Sequence, residues 1–210
     1  MSAASRAPQR SNRPRRTRRR VTPFAAVAAV AALALTSCSS GGTSGGGGDT
    51  GFVAGGDGID TVAKSGRSAA PDLSGETLEG EQLDIADYKG KIVVLNIWGS
   101  WCSPCRAEAK NLQTVYDDTK DQGVEFVGIN TRDGSTGKAL AFEEEFGITY
   151  PSLYDPTGKL MLRFAKGTLN PQAIPSTLVL DRDGKIAART LQALSEKKLR
   201  EMLDPVLAEK

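Results

Sequence analysis

The sequence predicts an α/β domain with a mixed central sheet flanked by helices, and three observations carry that prediction. Lys91-Ile-Val-Val-Leu-Asn-Ile-Trp98 and Val124-Glu-Phe-Val-Gly-Ile-Asn130 are nearly unbroken apolar runs rich in β-branched residues, the mark of strands covered on both faces. Between them, Ala109, Leu112, Val115 and Tyr116 recur at three- and four-residue spacing, which predicts a helix from Cys102 to about Lys120. A third run, Pro175 to Asp181, turns through Arg182-Asp183-Gly184-Lys185 into a strand from Lys185 to Leu191, an antiparallel pair. A strand–helix–strand crossover and a hairpin in one chain give a layered domain whose sheet runs both ways.

The other elements follow in chain order. Leu78-Glu-Gly-Glu-Gln-Leu-Asp84 reads as a short N-terminal β-hairpin, and Asp87-Tyr88-Lys89-Gly90-Lys91 as a turn into the first long strand. Gly123 ends the first helix. Gly137 to Phe146 is a helix stopped by Gly147, and a short helix is expected near Lys159 to Phe164; with Tyr150-Pro-Ser-Leu-Tyr154 between them, these form a central α/β insertion. Glu143-Glu144-Glu145 is expected to be a solvated helix face; Arg132-Asp133 could touch a substrate, but a solvated loop is the better reading. Ser195 caps a last helix, Glu196 to Leu207.

Ahead of this domain the composition changes twice. The first twenty residues are rich in Arg, Ser and Pro and cannot build a core. Phe24 to Leu35 is a twelve-residue apolar run, short of the about 20 residues that span a bilayer, so it predicts a signal-peptide core rather than a stable transmembrane helix. It ends in Leu35-Thr36-Ser37-Cys38, which resembles a bacterial lipoprotein signal; that resemblance implies cleavage before Cys38 and a lipid on its thiol. Thr17-Arg18-Arg19-Arg20-Val21 partly resembles a twin-arginine export signal, with Thr22 where a large apolar residue is usual. Ser39 to about Ser68 is Gly-, Ser- and Asp-rich and reads as a flexible tether, with a root-mean-square reach of about 30 Å. The expected organisation is a signal peptide over residues 1–37, a tether over 38–68 and the folded domain over 69–210.

Charge and composition exclude several functions. Eight of the 27 Lys and Arg lie before Val21 and no acid precedes Asp49, so from Cys38 onward 19 basic residues face 25 acidic ones, a net −6. A mildly acidic body is unsuited to nucleic acid, which binds clustered cations. The chain has no histidine, which removes Ser-His-Asp and Cys-His nucleophile pairs and every His-ligated metal site.

With three cysteines in all and Cys38 in the leader, Cys102 and Cys105 are left to act together. They stand in Trp101-Cys102-Ser103-Pro104-Cys105, at the junction of a buried strand and a helix. A zinc site would need two further Cys or His ligands, and a structural disulfide closing so short a loop would stabilise least. A redox pair fits better. The amides and partial positive charge of a helix N-terminus stabilise a thiolate, which makes Cys102 the attacking sulfur. Cys105, one turn on, can resolve the mixed disulfide.

Val94 to Cys105 (Val-Leu-Asn-Ile-Trp-Gly-Ser-Trp-Cys-Ser-Pro-Cys), the later Ile174-Pro175-Ser176-Thr177-Leu-Val-Leu-Asp181 and the spacing between them resemble the TlpA/ResA-like branch of the thioredoxins, over about Pro71 to Leu207. The resemblance implies a thioredoxin fold and a membrane-tethered, extracytoplasmic thiol-disulfide oxidoreductase; several such proteins serve cytochrome c maturation. It implies a redox-active Cys102–Cys105 disulfide and a cis-Pro175 facing it, with the backbone of Ile174 free to pair with substrate and Trp101 an exposed lid beside the thiol. Asn96 falls where classical thioredoxins bury an aspartate, and Glu108 matches the family's acid/base carboxylate. Ala109-Lys110 departs from the usual apolar-Pro pair after that glutamate. The implied partners are disulfide-bearing extracytoplasmic proteins, apocytochrome c among them, a membrane electron donor of the transmembrane thiol-transfer type, and the outer face of the cell membrane through a lipid anchor. Neither a cofactor nor a metal is implied. The competing expectations are a disulfide-forming oxidase of secreted proteins and, more remotely, a peroxidase or a copper-delivery protein; the Pro-x-x-x-Thr-x-x-Cys context of the former and the distant histidine of the latter are both missing.

Overall fold

The computed structural model describes residues 50–209, and the signal-peptide prediction, Cys38 and the first part of the expected tether lie outside them. The sheet forms around the two apolar runs. β5 (Ile92–Trp98) and β6 (Val124–Thr131) pair in parallel from Ile92↔Val124 to Trp98↔Asn130. They are joined by α1 (Ser103–Thr119), which the spacing of Leu112 and Val115 foretells. α2 (Thr136–Phe146) then crosses to β7 (Ser152–Asp155), parallel to β6. On the other side of β5, β8 (Ser176–Leu180) runs antiparallel and turns back as β9 (Ile186–Thr190). That turn is held by the Asp181 carboxylate, which accepts from the N–H groups of Asp183 and Lys185 at 3.0 Å each. α3 (Glu196–Leu207) closes the domain, with the Ser195 hydroxyl accepting from Lys198 N–H at its start.

Alternation along β5 sends its side chains to two cores. Ile92 and Val94 face α1 and α3, where they meet Leu112, Val115, Leu199, Met202 and Leu203. Val93, Leu95 and Ile97 face the opposite layer, built from Leu73, Ile85, Leu153, Leu160 and Phe164. Every residue of β5 is buried, which the unbroken apolar run demands. The expected hairpin is present as β3 (Ser74–Glu76) and β4 (Gln82–Asp84), and Leu78 in its turn donates to Ser152 O, tying it to β7. The segment Tyr150 to Tyr154, expected only as a connection, contributes this edge strand. The helix expected near Lys159 to Phe164 is a single 3₁₀ turn, Met161–Arg163.

The tether boundary needs correction. Residues 52–68, expected to be flexible, belong to the folded unit. β1 (Val53–Ala54) and β2 (Ile59–Thr61) extend the sheet beyond β9, giving the order β1-β2-β9-β8-β5-β6-β7. Ile59 and Val62 are buried, and Arg67 forms ion pairs with Asp181 and Glu209. A glycine-rich segment can still form an edge strand, because its ladder is backbone hydrogen bonding and needs an apolar side chain only on the inward face. Ile59 supplies that side chain. Among the described residues no helix is long and apolar enough to cross a membrane.

Candidate active site

The site lies at the C-terminal end of β5, where the strand gives way to Gly99-Ser100-Trp101 and then to α1. Gly99 lets the chain turn closely here: a Cβ would come 2.7 Å from Trp101 Nε1 and 3.1 Å from Thr131 O, so the indole would have to shift. Cys102 is the N-cap of α1, and Pro104 sits in the first helical turn, where its missing N–H costs nothing. Cys102 and Cys105 are joined as a disulfide. Cys105 N–H points at Cys102 Sγ, 3.2 Å away, so an orphan amide of the helix start faces the sulfur that would carry charge on reduction. The α1 N-terminus has no acidic residue in its first turn to oppose that charge.

The expected cis proline is present. The Ile174–Pro175 bond is cis, and Ile174 O lies 3.8 Å from Cys102 Sγ. Trp101, next to Cys102 in the chain, is 52% exposed. Cys102, Cys105, Trp101, Ile174 and Pro175 are therefore together, although they come from two parts of the chain seventy residues apart. Cys105 is covered by the helix and by Trp98 and Phe142, whose rings stack at 4.5 Å.

Glu108 also joins the site, one helical turn beyond Cys105 and 1% exposed. Its Oε1 accepts from Asn96 Nδ2 at 2.9 Å, and its Oε2 accepts from Leu194 N–H at 2.8 Å. Asn96 also donates to Thr177 Oγ1 at 3.1 Å, so β5, α1, β8 and the approach to α3 converge on one carboxyl. Burial pushes the Glu108 pKa from 4.5 up to about 7, against the opposing pull of the Leu194 N–H and the Asn96 amide. A cavity of about 10 Å³, at the lower bound for one water, is lined by Cys105, Asn96, Trp98 and Tyr150 among others. A cavity of about 240 Å³ lies at the opposite end of β5 among Leu73, Ile85, Tyr88 and Lys91, away from the cysteines.

Two expectations about solvated groups are overturned. Glu143 is buried: it accepts from Ser152 Oγ at 2.7 Å, and Ser152 in turn accepts from Trp98 Nε1 at 3.2 Å. Only Glu144 and Glu145 of that acidic run are on the outside of α2. Burial raises the Glu143 pKa to about 7 as well, with Glu79 adding to the shift and Ser152 opposing it. Asp133 is not in a solvated loop either. It is 2% exposed and accepts from Ser100 N–H, Ser100 Oγ and Asn130 Nδ2 at 2.6–2.8 Å, which fixes the loop leading into Cys102. An acid three residues past a strand asparagine was the available signal for Asp133. For Glu143 there was only the α2 periodicity, which puts it next to Phe142 at the inward edge of the helix.

A carboxyl that keeps its proton longer when folded makes stability depend on pH. Below about pH 4.5 Glu108 is protonated folded and unfolded, so it contributes no difference. Between about 4.5 and 7 the unfolded chain gives up the proton first, which lowers stability as pH rises, by roughly 3 kcal/mol. Urea unfolding of Glu108→Gln should therefore show a flatter loss of stability between about pH 5 and 7 than the unsubstituted protein. Equal slopes would mean that Glu108 ionises normally in the fold.

Comparison with known proteins agrees with this geometry. Residues 67–189 match the AhpC/TSA family. The chain is 30% identical over 139 residues to the thiol-disulfide oxidoreductase ResA of Geobacillus thermodenitrificans, covering 66% of this chain and 76% of that protein. A crystal structure of a DsbF homologue from Corynebacterium diphtheriae is 38% identical with a TM-score of 0.66, over 72% of this chain and 94% of the other. A secreted thiol-disulfide isomerase from Corynebacterium glutamicum is 32% identical with a TM-score of 0.68, over 73% and 94%. With a Cys-x-x-Cys disulfide capping α1 and a cis proline against it, the chain belongs to the AhpC/TSA family and, within that thioredoxin-like fold, is a thiol-disulfide oxidoreductase of the ResA-like kind.

Proposed function

We propose that the protein works as a reductase of disulfides in extracytoplasmic proteins, the haem-attachment cysteines of apocytochrome c among them, held at the outer face of the cell membrane by a lipid on Cys38 and supplied with electrons by a membrane thiol-transfer protein. The observation that carries the direction is the setting of Cys102 Sγ. Among the described residues it accepts one hydrogen bond, from Cys105 N–H, and the Ile174 carbonyl lies 3.8 Å away. A strong oxidant needs its reduced form held down by extra stabilisation of the thiolate. One amide and a helix N-terminus lower the thiol pKa enough for attack but supply little more.

In the forward reaction the Cys102 thiolate attacks one sulfur of a client disulfide. A Cys102–client disulfide forms, and the other client sulfur leaves as a thiolate. Cys105 then loses its proton to Glu108, directly or through one water, and attacks Cys102 Sγ. The second client sulfur leaves, the Cys102–Cys105 disulfide closes, and two electrons have passed to the client. Glu108 suits the proton transfer because its pKa of about 7 lets it accept and return a proton near neutral pH. Asn96, an amide, holds the carboxyl without competing for the proton. Trp101, Ile174 and cis-Pro175 frame the sulfur from the client's side. The oxidase reading draws on the helix N-terminus alone, which favours the thiolate and so the reduced protein.

Equilibration against glutathione or dithiothreitol separates the two. The potential of Cys102–Cys105 is expected nearer about −270 mV than about −120 mV, the values of a thioredoxin and a strong oxidant, and one above about −180 mV would assign the protein to disulfide formation. The anchor has its own test: Cys38→Ala should move the protein from the membrane fraction to the medium, and a variant that fractionates with membranes as before would remove the lipid from the account.

A further inference from the structure

Over Trp101, the residue before Cys102, stands a cation that the exchange chemistry leaves unused. Arg132, directly after β6, has φ +59°, in the left-handed region that non-glycine residues rarely enter. Its backbone is held there from both sides. Its own N–H donates to Asp155 O at 3.3 Å, and the next residue, Asp133, is buried under Ser100 and Asn130, with its carbonyl accepting from Tyr154 Oη at 3.1 Å. Such a conformation is unfavourable in a residue with a Cβ, and a glycine would avoid it. The result is that the Arg132 guanidinium lies over the Trp101 ring, 4.8 Å from its centre.

The two side chains form an exposed platform. Trp101 is 52% exposed, and Arg132 is exposed. Among the described residues Arg132 forms no ion pair, whereas Arg106, on the first turns of α1, is taken by Glu145. A guanidinium stacked on an indole keeps its N–H edge free for a planar acceptor, and a carboxylate accepts two parallel bonds from it. The same Asp133 bonds that fix Arg132 also fix Ser100, so the platform and the Cys102 loop are one rigid piece. Its positive charge runs against that of the chain, net −6 from Cys38 onward, so the platform is a local feature rather than part of a basic surface.

We propose that Trp101 and Arg132 dock client segments that carry an Asp or Glu beside the reacting cysteine. The indole packs on the client backbone next to the attacked sulfur, and the guanidinium takes the neighbouring carboxylate. The proposal names the substrate class of the thiol-disulfide site and rests on Cys102 being its attacking sulfur, but not on the direction of electron flow.

The test uses the reduced Cys105→Ser protein and peptides whose single cysteine is activated as a 2-thiopyridyl disulfide, with Glu, Gln or Lys beside it. Cys102 thiolate displaces thiopyridine and forms the protein–peptide disulfide, so the released thiopyridone reports the rate whichever way the protein runs with its own clients. The Glu peptide should react about three- to tenfold faster than the Gln peptide, and the Lys peptide slowest, the range that an exposed but preorganised ion pair yields. At about 1 M ionic strength, where the Debye length is roughly 3 Å, the three rates should converge. Arg132→Asn, which tolerates the left-handed backbone, should abolish the ranking, Arg132→Lys should keep part of it, and Arg132→Glu should reverse it. Equal rates in the unsubstituted Arg132 protein, or a ranking that survives Arg132→Asn, would overturn the platform while leaving the exchange site intact. No reaction with any peptide would overturn the assignment of Cys102 and the platform with it.

Discussion

A carboxyl group buried beneath the cysteine pair constrains much of what surrounds it. Glu108 is removed from water at a position where desolvation alone makes its charge expensive, and it is tolerated because an amide and a backbone N–H meet its two oxygens. Those partners come from separate elements. Asn96 is at the middle of β5, Leu194 precedes α3, and Thr177 of β8 holds Asn96 from the far side. The hydrogen bonds that satisfy the carboxyl therefore also align the strand that delivers Cys102, the helix that delivers Cys105 and the strand that follows the cis proline.

The same economy appears around Cys102. Its loop is fixed by a second buried acid, Asp133, and the aromatic wall behind Cys105 is fixed by a third, Glu143, through Ser152 and Trp98. Each carboxyl has partners, as buried polar groups must. Two of them, Glu108 and Glu143, nevertheless have pKa values raised to about 7, because burial penalises the charge by more than their neutral hydrogen-bond donors offset.

How far the sequence disclosed this follows from the kind of signal each part left. β5, β6 and α1 were legible because unbroken apolar runs and three-to-four spacing are direct images of burial on two faces or one. Cys102, Cys105, Pro175 and Glu108 were legible because their spacing and the family resemblance converge. β1 and β2 were not, since a strand added at a sheet edge through its backbone needs little apolar sequence, and Ile59 among glycines and aspartates resembles a linker. Glu143 was misread for a related reason: an acidic triplet looks solvated, and its burial depends on Ser152, which joins it only after α2 has crossed back to β7. Residue patterns report local burial, whereas the partners that make a buried acid tolerable come from elsewhere in the chain.

The central claim is that Glu108 handles the proton of the resolving cysteine, and the most direct test isolates that step. A mixed disulfide between Cys102 and a labelled peptide, formed and then released by Cys105, gives the resolution rate between about pH 5 and 9. The account predicts a profile governed by a group titrating near 7 in the unsubstituted protein, and a slower, flatter profile in Glu108→Gln, which keeps the shape and the hydrogen-bond acceptor but not the ionisation. Superimposable profiles would contradict it and leave Glu108 a structural residue alone.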